Sequence, residues 1–304
     1  MSSLSRFLAA IERHRAWGWT GLILYACAVT FPHQNVQDMV GQLATRITHK
    51  RLYQGTAAIV LIAGFVLTIL FLRRLSGQPA RRWLVAFWTL SFLLMAAIWR
   101  LLIANNTELV HFPQYFPEGM ALVALTLSPV ESLAWLALFG GLDEDFQYVF
   151  LMHGRPVSLD FNDIYMDLIG GAAGIIFAMA WLRCDLQISS LETWRDWWKR
   201  TLLTPGVLAI FGILAAGIAL LLSGQVLIYD APGAPAHWFA LSRLKTSSFW
   251  YFNPVIFGPN HFHELAPVEG IVLILATIAL YAPLDRRLNL LQNYVAPKLT
   301  TDIH

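Results

Sequence analysis

One stretch of the chain combines acidic residues with a run of small ones. Residues 163–174 read DIYMDLIGGAAG. An α-helix places four of them on one stripe, because they are spaced by four, three and four. They are Asp163, Asp167, Gly170 and Gly174. Carboxylates inside an apolar helix usually face a cavity or a partner, and glycines let a neighbouring helix approach closely. The stretch therefore predicts a packed helix that carries two carboxylates into a helical bundle.

The composition of the whole chain is that of a membrane protein. Hydrophobic residues make up 57% of the 304 residues, and charged residues make up only 13%. Soluble domains carry roughly 25% charged residues, so this chain cannot cover a globule with polar surface. The net charge of +2 leaves no polybasic face for a nucleic-acid partner. Two cysteines cannot form a disulfide framework.

Eight apolar runs approach the length of about 20 residues that a helix needs to cross a bilayer core. They are residues 17–31, 55–72, 83–104, 118–127, 130–151, 164–182, 203–229 and 268–283. The fourth run is the shortest, and it reaches a spanning length only if its helix begins near Val110 and tolerates Pro113 and Pro117. We predict an all-α, polytopic transmembrane bundle of about eight spans.

Basic residues predict the orientation of these spans. Of the 21 Lys and Arg residues, 14 fall in the two terminal segments and in alternate loops between them. The positive-inside rule then places both termini in the cytoplasm, and the basic cluster at 46–51 is the one contrary segment.

The spans divide the chain into three parts. Residues 1–82 form an N-terminal pair of transmembrane helices, and residues 83–182 form a core of four spans. Residues 183–304 contain an amphipathic inner segment, two further spans and an outer loop rich in aromatic residues. Within this last part we predict an amphipathic helix over 185–200 and a short interfacial helix over 242–250.

With this orientation, polar side chains from three segments of the core lie at one level near the outer surface. The candidate ligand-binding residues are His111, Tyr115, Glu144, Gln147, Arg155, Asp163 and Asp167. Glu144 and Gln147 share a helix face because they are three residues apart. We expect the fifth and sixth spans to pack through Gly170 and Gly174, which would turn the carboxylates toward a shared pocket.

These motifs resemble the VanZ-like family of membrane proteins, named for a glycopeptide-resistance accessory protein. The family pattern is His-Phe-x-x-Tyr, then Glu-x-x-Gln, Arg and Asp-x-x-x-Asn-x-x-Gly-x-x-x-Gly. The similar segments here are 111–115, 144–147, Arg155 and 163–174, all within residues 83–182. Asp167 stands where the family has Asn, and Thr107-Glu108 stand where an Asp-Lys pair often precedes the histidine. The resemblance implies a cell-envelope protein of the bacterial plasma (inner) membrane, without a generally established reaction.

Three functions remain open at this point. The first is an outer pocket that binds an amphipathic envelope molecule, either a lipid-linked glycan or a phospholipid headgroup. The second is a non-catalytic subunit of a larger membrane complex, with the aromatic outer loop and the inner amphipathic helix as docking surfaces for partner subunits. The third is an intramembrane enzyme acting on a lipid-linked substrate, with Glu144 and Asp163 as acid and base. A network of ion pairs that only fixes helix packing is the purely structural alternative.

Neither a cofactor nor a metal is predicted. The two histidines of the outer loop, His261 and His263, lie close to Glu264 in the sequence. A zinc site needs three or four ligands, and the sequence offers no further ligand at a convincing spacing.

Overall fold

The protein is described here from a computed structural model that covers residues 2–153, 155, 157–182, 184–186, 194–230, 235–243, 249–251 and 261–290. In this part of the chain most residues are helical. The helices α1 to α11 span Ser3–Arg13, Arg15–Thr30, His33–Ile47, His49–Arg74, Arg81–Leu101, His111–Thr126, Pro129–Phe146, Phe161–Met179, Trp194–Leu202, Pro205–Leu222 and Pro267–Arg287. A short 3₁₀ turn, Glu108–Val110, precedes α6, and a π-helical turn, Gln147–Leu151, continues α7.

Four short strands accompany the helices. The strands β1 to β4 span Cys184–Leu186, Val226–Tyr229, Phe239–Ser242 and Leu288–Leu290. β1 pairs antiparallel with β4, with Asp185 opposite Asn289, and β2 pairs parallel with β3, with Val226 opposite Phe239. The strands have three or four residues each and leave the fold all-α in character.

Each of the eight predicted apolar runs lies mainly on one helix, in order α2, α4, α5, α6, α7, α8, α10 and α11. The end of the seventh run, predicted as 203–229, is not helical, because residues 226–229 form β2. Among the described residues, the helices α4, α5, α8, α10 and α11 are long and apolar enough to cross a membrane. α2 and α6 have only 16 residues each, and α7 carries four acidic residues. The all-α fold with several apolar helices is therefore confirmed, while length and composition give five candidate spans rather than eight.

The fourth run forms a longer helix than its apolar residues suggest. α6 begins at His111, so Pro113 lies in its first turn and Pro117 lies inside it. A first-turn proline loses no helical hydrogen bond, because the first four N–H groups of a helix have no intrahelical partner. α6 ends at Thr126, the next residue, Leu127, has a left-handed backbone, and Ser128 caps α7 by accepting from the Glu131 N–H. This short turn returns the chain antiparallel to α6.

α8 is the central helix of the bundle. It is almost entirely buried, whereas most of α4 and α10 is exposed, as expected for helices that face lipid. Gly170 and Gly174 of α8 lie against the backbones of Phe112 and Phe116 of α6. The expectation that the fifth and sixth spans pack through these glycines is wrong, because the helix seated on them is the fourth span, α6. α7 packs on a neighbouring face of α8.

Amphipathic stretches account for the other differences from the predictions. Neither α1 nor α3 was predicted, because their apolar residues do not form continuous runs. The predicted helix over 185–200 is wrong in its first part, since residues 184–186 form β1 and the helix here is α9, Trp194–Leu202; residues 187–193 lie outside the described residues. Of the predicted interfacial helix over 242–250, Ser242 ends β3 and residues 244–248 lie outside the described residues.

The contact between α6 and α8 can be tested with matched glycine substitutions. We expect Gly174→Ala to lower the free energy of unfolding by about 1–3 kcal/mol, because the added Cβ meets the Phe116 carbonyl, which belongs to a backbone that cannot yield easily. Gly217→Ala on α10 is the control, because a Cβ there has open space around it. Unfolding of the purified protein in mixed micelles measures both. If the two variants unfold at the same denaturant concentration, the close approach of α6 and α8 is contradicted.

Candidate functional site

Three helix ends meet at one end of the bundle, and their helices carry four of the five buried acidic residues in the described part of the chain. α6 begins there and α7 ends there because the two helices are antiparallel, and α8 begins there after the loop that follows α7. Asp160 caps α8 by accepting from the backbone N–H groups of Asn162 and Asp163. The Asn162 amide donates to the carbonyls of Leu102 and His263 and accepts from the Leu265 N–H, which ties this end of α8 to its neighbours.

His111 lies between two aspartates of α8. Its Nδ1 is 2.9 Å from Asp167 Oδ1, and its Nε2 is 3.5 Å from Asp163 Oδ2. Asp167 is completely buried, His111 is almost so, and Asp163 is partly exposed. An imidazolium donates from both ring nitrogens, so a protonated His111 satisfies both carboxylates at once.

Two further contacts extend this group along α6 and α7. The Tyr115 hydroxyl, one turn after His111 on α6, donates to Asp143 Oδ2 at 3.1 Å. The Gln147 amide donates to Glu144 Oε1 at 2.8 Å, at the point where α7 passes into its π-helical turn. Local π-helical turns are frequent at functional sites, because they change the direction of side chains within a helix.

Buried carboxylate oxygens in this group lack partners. Glu118 Oε1, Asp143 Oδ1 and Asp167 Oδ2 have no hydrogen-bond partner among the described residues, and their side chains are at most 2% exposed. Gly140 of α7 lies against Asp167, where a Cβ would come within 3.1 Å of Oδ2. Unpaired buried acceptors cost free energy, so they indicate either a protonated acid or a place for a hydrogen-bond donor.

We call the group His111, Tyr115, Glu118, Asp143, Glu144, Gln147, Asp163 and Asp167 the acidic cluster. The structure brings together six of the seven predicted ligand-binding residues in it. The remaining one, Arg155, is exposed, and its guanidinium contacts Met152 Sδ at 3.4 Å. In the described part of the chain, no three of its His, Cys, Asp and Glu residues are placed to hold a metal ion.

Sequence reasoning missed Glu118 and Asp143. Glu118 lies seven residues after His111 and three after Tyr115, so the helical repeat alone places it on the same face of α6. Because Glu118 is the first residue of an apolar run, the sequence pattern indicates the end of a membrane span there and not a site residue. Asp143 directly precedes Glu144. Neighbouring residues of a helix point in different directions, and the side chain of Asp143 faces Tyr115 of α6.

Arg243 is the cation that the structure places beside the end of α7. Its guanidinium donates to the carbonyls of Met152 at 2.8 Å and Tyr148 at 3.3 Å, and it lies 3.9 Å above the Tyr148 ring. A cation at the carboxyl end of a helix is favourable because the last carbonyls are unpaired and the helix dipole is negative there. Arg243 therefore stabilises the backbone beneath the acidic cluster rather than pairing with its carboxylates.

Glu108 lies just outside the cluster, in the 3₁₀ turn before α6. Its carboxylate accepts from the Ala104 N–H and from the Asn105 amide, both at 2.9 Å. Burial, followed by the nearby charge of Asp163, raises the pKa of Glu108 well above its ordinary value of 4.5.

Comparison with known proteins found no match: no family model, no curated protein and no solved structure is significantly similar to this chain. The resemblance noted above therefore rests on the motif residues themselves.

The role of His111 can be tested by a double-mutant cycle. We expect His111→Ala to lower the free energy of unfolding by about 3–5 kcal/mol, because it removes the donor shared by the buried carboxylate of Asp167 and the partly exposed carboxylate of Asp163. Adding Asp167→Asn should recover part of this loss, since one of the uncompensated carboxylates is then removed. Denaturant unfolding in mixed micelles measures all variants, and His153→Ala, at an exposed histidine, is the control. If the changes in unfolding free energy of His111→Ala and Asp167→Asn simply add in the double variant, the pairing of His111 with Asp167 is contradicted.

The raised pKa of Glu108 predicts a pH dependence. Because the folded state holds this proton more tightly than the unfolded chain, its contribution to stability is present below the ordinary pKa of 4.5 and is lost as the pH rises through the folded value. Glu108→Gln keeps an acceptor for the Ala104 N–H but cannot ionise. Between about pH 4 and pH 8 we therefore expect the melting temperature of the variant to rise relative to wild type. A constant difference across this range would contradict the assignment.

Proposed function

We propose that this chain is a polytopic envelope protein of the bacterial plasma membrane, with eight spans and both termini in the cytoplasm. The agreement between eight apolar runs and eight helices supports the span count. The bias of 14 of the 21 basic residues toward alternate segments supports the orientation. In this orientation the acidic cluster lies at the outer side. The VanZ-like pattern of the cluster residues agrees with an envelope location.

The acidic cluster binds the polar headgroup of an amphipathic envelope molecule. The observation that carries this proposal is the set of three buried, unpartnered carboxylate oxygens from three helices: Glu118 Oε1, Asp143 Oδ1 and Asp167 Oδ2. Ionised carboxylates only accept hydrogen bonds, so their natural partners are the hydroxyls of a glycan.

The charge of the cluster selects among headgroups. It contains five carboxyl groups and a single histidine, and Arg155 and Arg100 are both exposed. A phosphate placed among these acids would meet repulsion, and none of the described arginines and lysines is buried beside them to offset it. The proposed ligand is accordingly the hydroxyl-rich part of a lipid-linked glycan rather than the phosphate of a phospholipid.

The surroundings of the cluster suit the apolar part of such a molecule. Val110 precedes His111, and Leu142 and Phe150 flank the acids of α7 and its π-helical turn. All three side chains are exposed, although they lie at the same level as a buried polar group. Within a membrane, they offer a surface to a lipid tail while its headgroup meets the acids.

Binding can be tested with neighbouring aspartates of α7. We expect Asp143→Asn to weaken binding of a neutral hexosyl-diacylglycerol by about 10–100-fold, because an acceptor that faces a sugar hydroxyl becomes a donor. Asp145→Asn is the matched control, because Asp145 is exposed on the same helix. Native mass spectrometry of the purified full-length protein, titrated with this lipid, measures the affinities.

A second titration tests the headgroup class. Phosphatidic acid with the same acyl chains should bind the acidic cluster more weakly than the hexosyl lipid. If Asp143→Asn and Asp145→Asn bind the hexosyl lipid equally, or if phosphatidic acid binds as tightly and with the same dependence on Asp143, the proposed function is wrong.

A further inference from the structure

An apolar cavity lies at the end of the bundle opposite the acidic cluster. Its volume is about 140 Å³, and it lies between α7, α9, α10 and α11. Val130 and Ala134 of the first turns of α7 form one wall, and Ile278 and Ala282 of α11 form another. The acids of α7 that belong to the acidic cluster lie near its carboxyl end, so at least half the length of that helix separates them from the cavity.

A single polar group lines this cavity without a partner. The Thr201 side chain is 2% exposed, and its Oγ1 has no hydrogen-bond partner among the described residues. The backbone carbonyl of the same residue does have a partner, because it accepts from the Thr204 hydroxyl. A buried hydroxyl without a partner costs free energy, and an acceptor within hydrogen-bond reach of Thr201 would remove that cost.

The orientation of α9 above the cavity is fixed by one buried carboxylate. Asp285 of α11 accepts from the Trp197 indole at 3.0 Å and from the Ser128 hydroxyl at 2.6 Å, and it lies 3.8 Å from the Arg200 guanidinium. Trp197 is completely buried as a result. α9 is therefore held with its Trp197 and Thr201 face toward the bundle.

The helical repeat then places two basic residues on the face of α9 next to the residues that line the cavity. Trp198 and Leu202, four residues apart, line the cavity and remain 43% and 37% exposed. Arg195 and Lys199, also four residues apart, follow next around the helix and are exposed. An aromatic and aliphatic rim beside two cations is the pattern of a surface that meets lipid headgroups.

We propose that this cavity binds one acyl chain of an anionic phospholipid. Methylene groups fill the apolar space, the Thr201 hydroxyl donates a hydrogen bond to the ester carbonyl, and the phosphate lies beside Arg195 and Lys199. A cavity of about 150 Å³ with apolar walls holds roughly six carbon atoms, so only part of the chain is enclosed. The remainder lies along the exposed apolar side chains of α10, such as Leu208 and Phe211.

Two alanines of α11 provide a matched test of the cavity. Ala279 lines it and is exposed, so Ala279→Phe fills the space without displacing the core. Ala276 is exposed on the same helix and does not line the cavity, so Ala276→Phe is the control. Native mass spectrometry of the full-length protein with dioleoyl-phosphatidylglycerol measures binding. We expect Ala279→Phe to lower the affinity at least fivefold, because the phenyl ring excludes one or two methylene groups of the acyl chain from the cavity. We expect no change in affinity for Ala276→Phe.

The polar contacts are tested separately. Thr201→Val keeps the side-chain shape and should weaken phosphatidylglycerol binding by about 2–10-fold. The double variant Arg195→Gln, Lys199→Gln should remove the preference for phosphatidylglycerol over dioleoyl-phosphatidylcholine. Asp143→Asn should leave all of these values unchanged, which separates this site from the acidic cluster. Equal wild-type affinities for the two phospholipids, or an Ala279→Phe variant that binds as wild type does, would overturn the proposal.

Discussion

The close approach of α6 and α8 is the constraint on which the rest of the structure depends. Glycines on α8 lie directly on the backbone of α6, and Gly119 of α6 likewise faces the backbone of Gly171. Helices in a membrane gain little from hydrophobic association with one another, because lipid is as apolar as their side chains. Backbone contact and buried polar bonds take over that role. The small residues therefore bring α6 and α8 close enough for His111 to reach both Asp163 and Asp167.

The arrangement of apolar and polar residues is reversed relative to a soluble protein. α8 is the least apolar of the five candidate spans and the most buried, while the strongly apolar α4 and α10 are mostly exposed. Lipid, rather than water, surrounds the outer helices, so exposed leucines and isoleucines carry no cost there. The polar groups gather instead around the central helix, where they can satisfy one another. This arrangement explains how a chain with so few charges keeps several of its acids within a single cluster.

The sequence predicted the helices of the apolar runs because length and apolarity decide whether a segment crosses a membrane. It predicted six of the eight residues of the acidic cluster, because Asp163 and Asp167 occupy one stripe and the i, i+3 pair Glu144 and Gln147 forms a hydrogen bond. The partner of the glycine stripe was not predictable in the same way. Any neighbouring helix can pack on small residues, and the choice of α6 over α7 depends on three-dimensional packing. α1 and α3 were missed because an amphipathic surface helix carries no continuous apolar run.

The cations explain why the acidic cluster keeps its excess of carboxylates. Arg155, adjacent in sequence, is exposed, and Arg243, distant in sequence, binds backbone carbonyls at the end of α7. The carboxyl end of α7 carries a partial negative charge that repels the acidic side chains around it. Arg243 offsets this repulsion because its guanidinium binds the carbonyls of Tyr148 and Met152 there. α8 begins among acids, and its positive terminus favours them without any added cation. The helix ends therefore hold the cluster together, and neither cation neutralises the carboxylates directly. The oxygens of Glu118, Asp143 and Asp167 that have no partner among the described residues consequently keep their capacity to accept hydrogen bonds.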